Sequence, residues 1–349
     1  MKKFLKKILL YLFIYLVISK IIFLFIPYHW GNPWYSSKIR YLENNKKYNY
    51  NTYFFGSSRI YRQINPIEFD SVFNEKFKGE NIKSFNLGAP ATFPPQSYYL
   101  YENFLESNLA NDVRYCFLEL DNISDINDDL MHQERSNYWL NLDYLIFTSK
   151  YFLEEKGSFL NRIKDATDYY VSYLENSFHY GHFGESLTDH NYYKDFYVGP
   201  NNRGNLTLDY NLNMTNNLKT KKGLIKRRNK LIDNPDKLKY IKSKSKKENL
   251  NYDKSYVNSS HLERINNLIF KSKLKNIKLF FIISPRNVDN KILSLGNEIP
   301  KKNLIDMSDP EKYPKLYDII NSFDFTHLNE KGSTIYSRKL GNSFFRIIN

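Results

Sequence analysis

The chain has 349 residues, 42% of them hydrophobic, with 30 Tyr and 26 Phe but only 13 Gly and 12 Pro. That composition excludes a disordered or collagen-like chain and allows one large core or two small ones. The net charge is +14, yet residues 219–247, with 13 Lys/Arg and two Asp, supply +11 of it. The remainder is nearly balanced, so a general nucleic-acid surface is excluded.

The N-terminus opens with MKKFLKK, followed by about 19 largely apolar residues within 5–26, interrupted by Ser19 and Lys20. A run of that length is enough to span a bilayer. Lys2, Lys3, Lys6 and Lys7 place its start in the cytoplasm, and Trp30, Trp34 and Tyr35 suit the far interface. Residues 1–30 are therefore expected to be a transmembrane signal anchor, and the rest of the chain to lie outside the cytoplasm. Residues 31–50, rich in Asn, Lys and Tyr, read as a stalk.

A globular domain is expected over 51–349. Residues 51–55 (NTYFF) form a first strand, 82–87 (IKSFNL) a second and 113–120 (VRYCFLEL) a third. The third is almost continuously apolar, as burial on both faces requires. The chain's single cysteine, Cys116, lies within it. One cysteine excludes an internal disulfide, and this one reads as a buried thiol. Residues 96–107 carry apolar positions at helical spacing.

Residues 121–256 break the pattern. They read as a largely helical insertion, with helices near 138–155 and 160–176, Asn-rich stretches and the basic run. Strands return at 277–283 (IKLFFII) and 303–307 (NLIDM), flanked by helices at 261–275 and 333–348. Strands alternating with helices predict a flavodoxin-like parallel sheet with helices on both faces.

Two stretches carry chemistry. FFGSSR ends the first strand on two hydroxyls, Ser57 and Ser58. FDFTHLNEKGS, near the C-terminus, sets Asp324 three residues before His327. An Asp beside a His can hold its Nδ1–H and leave Nε2 to take a proton, which is two-thirds of a hydrolytic triad. In a parallel sheet the strand C-terminal ends share one edge, so residues following Phe55, Leu87 and Leu120 should converge there. Ser57 reads as the cap of the next helix, and Arg59 as an ion-pair partner. No Cys/His spacing indicates zinc, and neither a metal nor another cofactor is expected. The basic run reads as a solvated face, able to meet an anionic polymer or lipid headgroups.

Three blocks in order, Gly56-Ser57-Ser58, Asn86-Leu87-Gly88 and Asp324-x-x-His327, resemble the SGNH/GDSL hydrolase superfamily. With the N-terminal anchor, the GSSR form is similar to membrane-anchored members of bacterial envelope loci. It is more distantly similar to D-alanyl-lipoteichoic acid biosynthesis proteins. The resemblance covers about 51–120 and 261–348. It implies an SGNH-like three-layer sandwich with Ser58 as nucleophile, His327 as general base and Asp324 as its orienter. It also implies an oxyanion hole from Ser58 N–H, Gly88 N–H and the Asn122 side chain. The block after strand three departs from the family's Gly-x-Asn-Asp: here it reads Leu120-Asp121-Asn122-Ile123, keeping only the Asn. Two functions follow from the resemblance. One is an extracytoplasmic esterase or O-acyltransferase acting on acyl esters of envelope glycans. The other is a catalytically silent module that binds glycan or an assembly partner.

Overall fold

A computed structural model of the chain describes residues 2–23, 26–76, 79, 81–123, 135, 138–178, 194–253 and 256–349. In chain order the helices are α1 (Lys2–Phe23), α2 (Pro33–Asn44), α3 (Ser58–Gln63), α4 (Pro66–Lys76) and α5 (Gln96–Leu105). They continue with α6 (Leu142–Glu154), α7 (Phe159–Phe178), α8 (Leu208–Met214), α9 (Leu218–Asp233) and α10 (Pro235–Asn251). The last three are α11 (Ser259–Leu274), α12 (Asn290–Glu298) and α13 (Glu330–Ile348). The strands are β1 (Thr52–Phe55), β2 (Ser84–Asn86), β3 (Tyr115–Glu119), β4 (Lys278–Ile283) and β5 (Leu304–Asp306).

The chain divides into two compact units, one of residues 1–36 and 124–193, the other of 37–123 and 194–349. In the first, α6 and α7 form a hairpin and α1 lies against α7. Ser19 Oγ donates to the Ser177 carbonyl at 3.1 Å. Trp139 packs edge-on against Tyr144 and Tyr169.

The second unit is an α/β fold around five parallel strands in the order β2-β1-β3-β4-β5. That is the order of flavodoxin-like sheets. The register sets Phe54 beside Phe117 and Phe117 beside Phe280. Their rings stack across three strands at 4.8 and 5.3 Å. Phe344 of α13 meets Phe117 and Phe280 edge-on, and Phe69 of α4 meets Phe54 and Phe117 in the same way. Strand alternation turns Phe55 to the opposite face, where Tyr101 and Phe104 of α5 cover it. The first strand is thus apolar throughout because both its faces are buried.

One expectation from the sequence lacks support here and another is corrected. Among the described residues, no helix is long and apolar enough to cross a membrane. Helix α1 has 22 residues, and Lys2, Lys3, Lys6, Lys7 and Lys20 leave no bilayer-length stretch of it free of charge. The spanning anchor read over 5–26 therefore lacks support from the structure; residues 24 and 25 lie outside the described residues. The stalk read over 31–50 is instead helix α2 and a 3-10 turn (Lys46–Tyr48). Tyr35, Ile39, Tyr41 and Leu42 of α2 are buried, and Tyr41 stacks on Phe85 at 6.0 Å. Its Lys and Asn content concealed an apolar face. The insertion over 121–256 is divided between the units. Its basic part is two regular helices, α9 and α10, while residues 124–134, 136–137, 179–193 and 254–255 lie outside the described residues.

Candidate active site

The turn after β1 determines where the hydroxyls go. Gly56 has φ +148°, and a Cβ there would lie 2.6 Å from Glu119 Cβ and from Ile60 Cγ1. Only glycine fits so close a passage in that conformation. Ser57 then caps α3: its Oγ accepts from the Arg59 N–H at 3.2 Å, while its own N–H donates to Glu119 Oε2 at 2.7 Å. Ser58 is the first residue of α3. The paired hydroxyls are therefore divided into one that builds the turn and one that is displayed.

Ser58 Oγ lies 2.8 Å from His327 Nε2. His327 Nδ1 lies 3.0 and 3.2 Å from the two oxygens of Asp324. The structure thus brings together a hydroxyl, an imidazole and a carboxylate in the order a serine triad requires. Asp324 and His327 meet by a tight loop rather than a helical turn. Asp324 Oδ1 accepts from the N–H groups of Thr326 and His327, at 2.8 and 2.7 Å. A bridge between Ser322 and Leu328 closes the loop, and Asn329 caps α13 directly after it.

Three ties hold the two halves in register. Gln63 Nε2, at the end of α3, donates to the Thr326 carbonyl at 3.1 Å. The Gln63 carbonyl accepts from Ser333 Oγ of α13 at 2.9 Å. Arg286, beyond β4, adopts φ +66°, an uncommon conformation for a non-glycine residue. It donates to the Asp324 carbonyl at 3.2 Å and to Ser322 Oγ at 2.7 Å.

The electrostatics suit a base. His327 and Asp324 are 7% and 4% exposed. Burial lowers the His327 pKa; Asp324 opposes this, and the charges of Arg227 and Arg62 add to it, leaving it below the ordinary histidine value. The imidazole is then neutral at neutral pH, with Nδ1–H toward Asp324 and Nε2 free to accept from Ser58. For Asp324, burial acts to raise the pKa. The hydrogen bond and charge of His327 and the charge of Arg227 outweigh it and hold the carboxyl well below the usual carboxylate range.

Arg227, from the basic helix α9, donates to Asp324 Oδ2, and its Nη2 lies 2.9 Å from His327 Nδ1. Reading residues 219–247 as a solvated face missed this residue; nothing in KRRN separates it from its neighbours. Lys38 was also missed. It is fully buried, donates to the Gly88 carbonyl and lies 3.9 Å from the Tyr61 ring centre. Burial first, and the Arg62 charge second, push its ammonium well below the ordinary lysine value.

At two of the three expected oxyanion positions the donor group already makes a hydrogen bond within the protein. Gly88 N–H donates to Asn86 Oδ1 at 2.9 Å, and Asn86 Nδ2 donates to the carbonyls of Ile60 and Ile64. This block stitches β2 to α3 rather than facing a substrate. Asn122 Nδ2 donates to Asp289 Oδ2 at 2.6 Å. Among the described residues nothing accepts from the Ser58 N–H. Arg59 bridges Glu119 and Asp121. Among the described residues no group of three or more His, Cys, Asp or Glu side chains could hold a metal ion.

Comparison of the chain with protein-family models, with curated proteins and with solved structures finds no match.

Proposed function

We propose that this protein is a serine esterase or O-acyltransferase of the cell envelope, acting on acyl esters, foremost acetyl esters, of glycans. The observation that carries this reading is the Ser58–His327–Asp324 alignment, with Oγ 2.8 Å from Nε2. His327 Nε2 takes the Ser58 proton as Oγ attacks the ester carbonyl. The carbonyl oxygen becomes an oxyanion beside the Ser58 N–H. The intermediate collapses to an acyl-serine, and the sugar oxygen leaves with the proton from His327. Water then releases the acid, or a second sugar hydroxyl accepts the acyl group, with His327 again moving the proton.

The envelope setting rests on the resemblance to membrane-anchored GSSR proteins, with the domain outside the cytoplasm. Helix α1 is the proposed membrane attachment: Phe4, Leu9, Tyr11 and Phe13 are each more than 60% exposed and suit a lipid environment. A catalytically silent glycan- or partner-binding module is the second reading. It is favoured by the engagement of Gly88 N–H and the Asn122 amide within the protein, which leaves a reduced oxyanion hole.

Labelling with a fluorophosphonate probe separates the two. The wild-type protein is expected to label, and Ser58→Ala to lose the label while keeping its circular dichroism spectrum. Folded wild-type protein that takes no label overturns the enzymatic reading.

A further inference from the structure

The positive charge around Ser58 exceeds what the protein itself neutralises. Arg62 lies four residues after Ser58 on α3, on the same helical face. It is 8% exposed, donates to the Leu206 carbonyl at 3.0 Å and lies over the Tyr61 ring. Among the described residues no carboxylate pairs with it. Arg227 reaches the site from α9 and gives one nitrogen, Nη2, to Asp324. Its Nε and Nη1 have no acceptor among the described residues, and its side chain is 44% exposed.

Asp324, the carboxylate that Arg227 shares with the catalytic base, is committed to His327. Asp209, the next acid on this side, pairs with Arg228 instead. Taking a guanidinium out of water without a counter-charge is costly. Placing two of them beside a neutral imidazole also weakens that imidazole as a base. Both costs are relieved by an anion arriving with the substrate. A planar fork with free N–H groups matches a carboxylate or a phosphate. Further along α9, Lys219, Lys222 and Lys226 are exposed and extend the same sign of charge over a length that a polymer could follow.

We propose that the substrate is an acidic sugar: the residue bearing the ester carries a carboxylate or phosphate, which Arg62 and Arg227 receive. This rests on the esterase reading of Ser58 and specifies its substrate class. Receiving that anion draws Arg227 from Asp324 and lets the Asp324–His327 pair act at full basicity. A neutral acetylated sugar leaves the clamp in place.

The test is binding without turnover, by calorimetric titration of the full chain with D-glucuronic acid, D-glucose 6-phosphate and D-glucose. One of the two acidic sugars is expected to bind at least about tenfold tighter than glucose, with Arg227→Gln removing most of the difference. The carboxylate and phosphate arms say which anion is read. Arg62→Lys, which keeps the charge, is expected to retain more of the preference than Arg62→Gln. Equal affinity for all three sugars, or a preference that survives both Arg227→Gln and Arg62→Gln, overturns the proposal. So does binding of anionic phospholipid vesicles with no acidic-sugar preference. Loss of the fluorophosphonate result alone removes the esterase reading and leaves acidic-sugar recognition standing on its own titration.

Discussion

Arg59 and Arg62 stand three residues apart on one short helix, in opposite surroundings. Arg59 is bracketed by two carboxylates: Nε donates to Glu119 Oε1 at 2.6 Å, and Nη2 donates to Asp121. Glu119 in turn accepts from the Ser57 N–H and from Ser284 Oγ, and Asp121 from Asn287 and the Asn122 N–H. Every charge there has partners, and the cluster builds the turn that displays Ser58. Arg62 has one carbonyl and no acid, and Arg227 beside it shares a single, already committed acid. Closed charge networks mark scaffold; open ones mark where something else is meant to bind. The same helix carries both.

The largest expected effect is on catalysis. In Asp324→Asn, the amide nitrogen would donate to His327 Nδ1 and force the proton onto Nε2, so the imidazole could no longer accept from Ser58. A loss of about 10⁴-fold in kcat is expected, as for the orienting acid of other serine triads. Hydrolysis of 4-nitrophenyl acetate reads it, and a loss of less than tenfold would remove Asp324 from the machinery.

Stability tests the contrast between the clusters directly. Glu119→Ala leaves the Ser57 N–H, Arg59 Nε and Ser284 Oγ without their shared acceptor. A cost of about 3–5 kcal/mol in urea unfolding is expected, the usual penalty for breaking a buried ion pair. Arg227→Gln removes a half-exposed pair and should cost under about 1 kcal/mol. Equal costs would erase the distinction between scaffold and open site.

How much of this was legible in the sequence follows from range. Strands β1, β3 and β4 were readable because burial on both faces writes a near-contiguous apolar run, as in FFII of β4. Ser58, Asp324 and His327 were readable because each sits beside a chain feature, a strand end or the start of the last helix. Arg227 was not, since its neighbours Lys226 and Arg228 have the same chemistry and only the approach of α9 to the His327 loop selects it. Lys38 and the buried face of α2 were hidden by polar composition. The motif Asn86-Leu87-Gly88 was visible, but its role was not. Whether a glycine N–H faces a substrate or an asparagine depends on a hydrogen bond that no spacing records.

A further effect concerns another buried histidine. His261, 2% exposed, has Tyr98 Oη 2.9 Å from its Nε2. Burial pulls its pKa down to about 3, whereas the unfolded chain keeps the ordinary value near 6.5. A folded-state pKa below the unfolded one means that protons favour the unfolded chain. The stabilisation is whole above about pH 6.5 and drains as pH falls toward 3. Between pH 7.5 and 5.5 this residue should remove about 1.4 kcal/mol of stability. His261→Gln cannot titrate, so it should lose less than the wild-type protein over the same interval, whatever its starting stability. Parallel losses in the two proteins would mean that the folded state accommodates the imidazolium. His327 differs because Asp324 supports its charged form against burial.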